Sequence, residues 1–220
     1  MKRKVIKTAD GSTTIQIEEW GEQYHSLHGA LQEAYHVFIS HGLDQIRKRE
    51  ISILEVGFGT GLNALISLIE ARKKGIAIRY TGVEKFPVAP EEISQLNYLE
   101  MLGAEKDAKS FERMHKATWE EANPIESGFV LEKQQKDFRE IEDIDMYELV
   151  YFDAFGARVQ PELWTEAIFV KMFKALKAEG ILVTYAAKGS VRRAMESAGF
   201  RVERLPGPPG KREMLRAIKP

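Results

Sequence analysis

The stretch Ile51-Ser52-Ile53-Leu54-Glu55-Val56-Gly57-Phe58-Gly59-Thr60-Gly61-Leu62-Asn63 decides the fold. Ile51–Val56 is a short apolar run rich in β-branched residues, which predicts a buried strand. The three glycines that follow let the backbone turn sharply and approach a ligand closely. Leu62–Lys74, stopped by Gly75, then predicts a helix whose first N–H groups face the loop. A glycine loop joining a strand to a helix is the opening unit of an α/β nucleotide-binding domain.

Toward the C-terminus the same rhythm continues. Ile78–Val83 predicts a second strand, followed by Phe86-Pro87 and a helix near Pro90–Glu100. Residues 102–127 are charged and weakly periodic, and read as helix and loop. Phe129–Glu132 and Glu148–Phe152 predict the third and fourth strands. Pro161–Ala178 predicts an amphipathic helix closed by Gly180, and Ile181–Tyr185 the fifth strand. Ser190–Ala198 predicts another helix, and Phe200–Arg204 and Met214–Ile218 the last two strands. Alternating strands and helices give a mostly parallel, doubly wound sheet. The last two strands have no helix between them, so the final strand must run antiparallel. That ending suits a Rossmann-like S-adenosylmethionine (SAM) methyltransferase better than a dinucleotide dehydrogenase.

Toward the N-terminus, Val5, Ile15 and Ile17 flank the turn Ala9-Asp10-Gly11-Ser12, predicting a hairpin. Leu27, Leu31, Ala34, Tyr35, Phe38 and Ile39 recur at helical spacing within 27–48, with a stop at His41-Gly42. Residues 1–48 are therefore expected to form an extension packed on a main domain at 49–220.

The loop spacing bears on the cofactor. Dinucleotide enzymes use G-x-G-x-x-G to hold a pyrophosphate; here Gly57, Gly59 and Gly61 give G-x-G-x-G, with Glu55 on the strand before. SAM has no pyrophosphate, but its amino acid end carries an ammonium that Glu55 would suit. The plain alternative is a turn that only connects. Glu84, just over twenty residues beyond the loop, is placed to accept hydrogen bonds from both ribose hydroxyls, and Phe86 to line the adenine; alternatively Glu84 is an exposed strand end. Asp137-Phe138, after the third strand, would lie near the adenine, although so short a motif is equally a common turn. Asp153, in Val150-Tyr151-Phe152-Asp153-Ala154-Phe155-Gly156, ends the fourth strand at the edge where open sheets bind ligands. Methyl transfer needs its nucleophile held about 3–3.5 Å from the methyl. A carboxylate at Asp153 would accept an amine's N–H bonds, orient it and take its proton; the bland alternative is a helix cap.

These residues resemble the tRNA 5-methylaminomethyl-2-thiouridine methyltransferases, the methyltransferase half of MnmC proteins and their stand-alone MnmD-type counterparts. The resemblance runs through roughly residues 10–218. It rests on Glu55–Asn63, Glu84-Lys85-Phe86-Pro87, Asp153-Ala154-Phe155 leading to Pro161-Glu162-Leu163-Trp164, Tyr24-His25-Ser26 with Glu33, and Gly210-Lys211-Arg212-Glu213-Met214. It implies methylation of the primary amine of a 5-aminomethyl-(2-thio)uridine at the tRNA wobble position. It adds Tyr24, Asn63 and Lys85 to the cofactor contacts and makes Asp153 the acid beside the amine. It also implies Phe155 and Trp164 stacking on the splayed base, and Lys211 and Arg212 on anticodon-loop phosphates. Ala154 stands where the family often has Gly. Bifunctional relatives add an FAD-dependent oxidase, and these 220 residues hold one nucleotide fingerprint, so a separate enzyme supplying the aminomethyl group is expected.

Composition sets outer limits. There are no cysteines, which excludes disulfides, thiolate catalysis and Cys-based zinc sites. The five histidines form no ligand spacing, so no metal is expected. The N-terminus lacks an apolar stretch of signal-peptide type, and no apolar run reaches the ~18–20 residues of a membrane span, so a cytoplasmic, membrane-free protein is expected. Net charge is −1, with small basic clusters scattered along the chain. Competing readings are a methyltransferase acting on a small-molecule or protein amine, an NAD-linked oxidoreductase, and a non-catalytic RNA-binding scaffold.

Overall fold

The computed structural model describes residues 2–220. Strand β4 (Glu50–Val56) lies at its centre, and its side chains explain why. Ile51 and Ile53 point into one apolar cluster while Leu54 and Val56 point into the other, on the opposite face. A strand apolar on both faces is stable only inside a sheet covered on both sides.

The neighbours of β4 are parallel to it. On one side is β5 (Ala77–Val83), in register Glu55↔Gly82; on the other is β8 (Tyr147–Phe152), in register Glu55↔Tyr151. Beyond β5 come parallel β7 (Phe129–Gln134) and an antiparallel edge strand β6 (Ala122–Glu126). Beyond β8 come parallel β9 (Leu176–Thr184), then β11 (Glu213–Ile218) and β10 (Arg201–Pro206). The order is β10-β11-β9-β8-β4-β5-β7-β6. Strand β11 is antiparallel to both neighbours, as the helix-free ending requires. The chain reverses its direction of sheet growth at β4, which opens a crevice above the carboxyl ends of β4 and β8.

Helix α2 (Leu62–Lys74) crosses back from β4 to β5, and every residue from Leu62 to Ile69 is buried. Gly82 makes room for the turn that starts it. A methyl group there would lie 2.5 Å from Phe58 Cδ2, in a ring that is itself buried. Helices α3 (Pro90–Ile93) and α4 (Tyr98–Met101) replace the single helix expected at 90–100; α5 (Ala108–Lys116) and α6 (Glu166–Ala175) follow, and α7 (Gly189–Ser197) precedes the last two strands.

Several boundaries differ from the sequence reading. The weakly periodic 102–127 segment contains strand β6, whose Pro124 is tolerated because the strand is an edge. The helix expected to run to Ala178 ends at Ala175, because Leu176 is fully buried and already pairs with Tyr147. Lys177 then donates to Glu148 at 2.7 Å, and Glu179 and Gly180 exchange backbone bonds with Lys219. The helix expected within 27–48 is a single α turn, α1 (Ala30–Ala34), passing into a π segment at Tyr35–Ser40. Widening the turn lets the consecutive Val37, Phe38 and Ile39 all be buried. His41 ends it, as expected.

The predicted hairpin is present as β1 (Arg3–Lys7) and β2 (Thr13–Ile17), with Val5 opposite Ile15. A short third strand, β3 (Glu22–Gln23), completes a separate sheet. Arg3 pins that sheet to the domain by donating to the carbonyls of Phe86 (2.7 Å) and Pro87 (3.1 Å). Asn97 accepts from the Thr13 amide at 2.8 Å. Among the described residues no helix is long and apolar enough to cross a membrane.

Gly82→Ala forces the buried Phe58 ring, and with it the glycine loop, out of place. Thermal or urea unfolding should show a loss of about 1–3 kcal/mol; unchanged stability would mean that Phe58 can move freely.

Candidate active site

Four carboxylates from four different strand ends meet at one edge of the sheet. Glu55 lies on β4, Glu84 follows β5, Asp137 follows β7 and Asp153 follows β8. All four line one cavity of about 1010 Å³. That is near the upper end for small-molecule sites and leaves room for a nucleoside cofactor together with part of a second ligand.

The glycine loop forms the floor. A side chain at Gly57 would meet the Asp153 carbonyl at 2.9 Å, so this glycine lets the β4 and β8 ends approach. A side chain at Gly59 would meet the Tyr24 ring at 2.9 Å. Tyr24, brought in by the N-terminal sheet, thus lies directly over the loop. Gly61 does not line the cavity: it holds a left-handed turn (φ 73°) at the start of α2, facing His115 and Phe58. Its role is to start the helix.

Glu84 accepts the amides of Gly59 (3.1 Å) and Phe86 (2.8 Å), which fixes its carboxylate at the loop's edge. Burial raises its pKa above the usual carboxylate range. Asp137 has less freedom than the sequence suggests. It takes bonds from Lys85 (2.8 Å) and from the Arg139 side chain, and caps the turn at Phe138–Glu140 through the Arg139 amide. The Arg139 bonds hold its pKa well below the ordinary range despite partial burial. Lys85 also lies 5.4 Å from the ring centroid of the exposed Phe86. Phe138 is buried at the cavity wall.

The centre of the site is Asn63. Its amide Nδ2 donates to Glu55 Oε1 at 2.8 Å and to Asp153 Oδ2 at 2.9 Å, bridging the two carboxylates. Burial pushes both carboxyls well above their ordinary pKa values; charge on Glu33 adds to the effect on Asp153, and charge on Asp153 adds to the effect on Glu55. Glu55 Oε2 and Asn63 Oδ1 are buried without a well-formed hydrogen bond, although the core residue Tyr80 acts on Glu55. Acceptors left unpaired inside a cavity carry a cost that a ligand ammonium relieves. The donor set therefore fits the amino acid end of SAM, and Glu84 fits a ribose diol.

On the acceptor side, Phe155 meets Tyr24 and Trp20 edge to face, at 5.0 and 5.5 Å. Trp164 does not serve as a stacking platform. It is 5 % exposed, packs against Phe152 and Tyr185, and donates its indole N–H to the Phe155 carbonyl at 2.7 Å. Its place is under Phe155, which it holds. Lys211 likewise points inward: it is ion-paired with Glu33 and lies 3.9 Å from the Tyr185 ring centroid. Arg212 is exposed at the cavity mouth. Glu33 and Tyr185 thus belong to the site although the chemical reading of the sequence gave them no role. Only the position of Glu33 beside Tyr24-His25-Ser26 hinted at one. Among the described residues no cluster of three or more His, Asp or Glu side chains is placed to hold a metal ion.

Glu84→Gln should weaken SAM binding by about 1.5–3 kcal/mol, roughly ten- to hundred-fold in Kd, without unfolding the protein. Calorimetric titration checks this; unchanged affinity would remove Glu84 from the cofactor site.

Comparison with known proteins places this geometry. Residues 112–220 match the family described as S-adenosyl-L-methionine-dependent methyltransferase. The chain is 31 % identical over 218 residues to the tRNA 5-methylaminomethyl-2-thiouridine biosynthesis bifunctional protein MnmC of Ectopseudomonas mendocina, covering 89 % of this chain and 32 % of that protein. It is 32 % identical over 216 residues to the MnmC of Azoarcus sp., covering 90 % of this chain and 33 % of that protein. The chain thus spans about a third of the length of these curated relatives. The crystal structure of MnmC2 from Aquifex aeolicus superposes with a TM-score of 0.80 at 26 % identity, over 98 % of this chain and 69 % of that one. Spermidine synthase from Thermotoga maritima, at 14 % identity and a TM-score of 0.53 over 94 % of this chain and 65 % of its own, shares the fold alone. The chain thus has the Rossmann-like fold of an S-adenosyl-L-methionine-dependent methyltransferase, matches that family over residues 112–220, and is similar over about nine tenths of its length to MnmC proteins.

Proposed function

We propose that this chain methylates the primary amine of a 5-aminomethyl-(2-thio)uridine at the wobble position of tRNA, giving 5-methylaminomethyl-(2-thio)uridine. The observation that carries the reading is the Asn63 bridge. It sets Asp153, a partly buried carboxylate, beside the expected ammonium site at Glu55 and inside the same cavity. The names of the relatives supply the substrate class.

SAM, when bound, supplies a methyl group activated by its sulfonium. Glu55 and Asn63 hold the amino acid end, Glu84 the ribose, and Phe86, Phe138 and Asp137 the neighbourhood of the adenine. Tyr24 and Lys85 close over the nucleoside. The acceptor is a primary amine, which is cationic at neutral pH and must lose a proton before it can attack. Asp153 takes that proton, and its burial makes it a stronger base than an exposed carboxylate. The nitrogen lone pair then forms the N–C bond as the bond from methyl to sulfur breaks, leaving the product as a secondary ammonium.

Phe155 offers an aromatic surface to a base turned out of the anticodon loop. Arg212 and the exposed Lys188, both at the cavity mouth, are suited to its phosphates. Residues 1–48 act in this reading as an extension that carries Tyr24 onto the glycine loop. A separate enzyme supplies the aminomethyl group, and the work is cytoplasmic, where tRNA is.

The direct test is methyl incorporation from labelled SAM into tRNA carrying 5-aminomethyluridine, with nucleoside mass analysis. A mass gain of one methyl on that nucleoside supports the reading, whereas SAM binding with no modified nucleoside points to a small-molecule or protein amine. Asp153→Asn should retain SAM binding while turnover falls about 10²–10⁴-fold; retained turnover removes Asp153 from the chemistry. Because the base must be ionised and its folded pKa is raised, wild-type turnover should fall with decreasing pH, and do so at a higher pH than an ordinary carboxylate would give. Arg212→Ala should raise KM for tRNA, weaken its salt dependence and leave SAM affinity unchanged.

A further inference from the structure

Asp153 and Phe155, the acid and the aromatic surface of the proposed reaction, stand two residues apart on a segment that has left the sheet. Strand β8 makes its last parallel pairs at Phe152 with Val56 and at Tyr151 with Val183. The Asp153 amide still donates to the Val56 carbonyl at 3.0 Å. Beyond it the ladder ends, yet Ala154 is only 2 % exposed. A buried carbonyl there needs a donor from elsewhere.

Two side chains meet that need along the segment. The Tyr185 hydroxyl donates to the Ala154 carbonyl at 2.8 Å, and the Trp164 indole donates to the Phe155 carbonyl at 2.7 Å. The next carbonyl, of Gly156, accepts the amides of Val159 (2.9 Å) and Gln160 (3.2 Å). Three consecutive carbonyls are therefore fixed, and the first belongs to the residue that follows Asp153.

The sheet places Tyr185 for this. Continuing the β8–β9 register two residues beyond Tyr151 and Val183 brings Tyr185 opposite Asp153. There a side chain reaches across where backbone pairing has stopped. Its ring packs on Trp164, with centroids 6.1 Å apart, and carries the Lys211 ammonium, itself ion-paired with Glu33. A ring held by these contacts has little freedom to turn, so its hydroxyl is a fixed anchor. Burial pushes the phenol well above its ordinary pKa, which keeps the hydroxyl a donor.

The Asp153 carboxylate is aimed by Asn63, at 2.9 Å on Oδ2. That bond orients the side chain only while the backbone beneath it is fixed. We propose that Tyr185 is a positioning residue whose hydroxyl, bonded to the Ala154 carbonyl, holds Asp153 in line with the acceptor amine and the methyl group. The proposal rests on the methyl-transfer reading above. Tyr185 acts through Asp153 and not on the reacting atoms.

The test is Tyr185→Phe, which keeps the ring and removes only the bond; thermal melting confirms that the variant is folded. A misplacement of about 1 Å costs about 10²-fold in rate, so kcat for tRNA methylation should fall roughly ten- to hundred-fold. SAM affinity should hold, since Glu55, Asn63 and Glu84 are untouched, and so should KM for tRNA, since Phe155 keeps its bond from Trp164. A residue that acts through Asp153 has nothing left to position once that acid is gone. Tyr185→Phe should therefore cost no further kcat in an Asp153→Asn background. A second readout needs no tRNA: with S-adenosylhomocysteine bound, ¹⁵N order parameters of the amides of residues 153–155 should fall below the ~0.85 of rigid backbone in Tyr185→Phe. A folded Tyr185→Phe protein with wild-type kcat overturns the proposal. So do unchanged order parameters, or a loss that multiplies with that of Asp153→Asn. If the order parameters fall but wild type methylates no tRNA nucleoside, the anchoring by Tyr185 stands and the substrate reading falls.

Discussion

One side-chain amide holds the site together. Glu55 and Asp153 stand at the ends of adjacent parallel strands, the first buried and the second partly so, where two carboxylates repel each other with less screening than in water. Asn63 Nδ2 donates to both, so the first turn of α2 becomes the clamp between them. The clamp requires α2 to start at a fixed point, which Gly61 provides, and requires the β4 and β8 ends to touch, which Gly57 allows. The fold thus uses its crossover helix both to cover the sheet and to fix two charges that would otherwise separate.

The N-terminal sheet completes this arrangement from the other side. Arg3 ties it to the segment after Glu84, and that docking lays Tyr24 over Gly59 and against Phe155. Glu33 enters the cavity from α1 just behind that sheet and reaches Lys211 on the C-terminal hairpin. Segments distant in the sequence therefore meet over the carboxyl ends of β4 and β8. The three-layer domain supplies a floor; the two ends of the chain supply the roof and walls.

The central architecture was legible because its signals are local. The apolar run at 51–56, the glycines and the helix-free pair of C-terminal strands each report their own conformation, and the mostly parallel sheet with an antiparallel last strand follows from them. Glu55, Glu84 and Asp153 were legible for the same reason: each sits at a strand end with a recognisable neighbour. What was not legible depends on contacts far apart in the chain. Trp164 has the composition of a stacking residue, yet three aromatic neighbours and the Phe155 carbonyl draw it into the core. Lys211 has the composition of a phosphate contact, yet a carboxylate 178 residues away turns it inward. Strand β6 was missed because an edge strand with Pro and charged residues carries no clear alternation. The helix ending at Ala175 was overrun because its apolar period continues into a strand that is itself buried.

The account turns on a single geometric claim: an acceptor nitrogen, an activated methyl group and Asp153 share one cavity in productive alignment. The most direct measurement is a crystal structure of the protein with a non-reactive SAM analogue and an anticodon stem-loop carrying 5-aminomethyluridine. The account predicts the analogue's ammonium at Glu55, and the acceptor nitrogen within hydrogen-bond reach of Asp153 and about 3–3.5 Å from the position of the methyl group. An acceptor amine lodged away from Asp153, or a cofactor whose reactive end points away from it, would contradict the account.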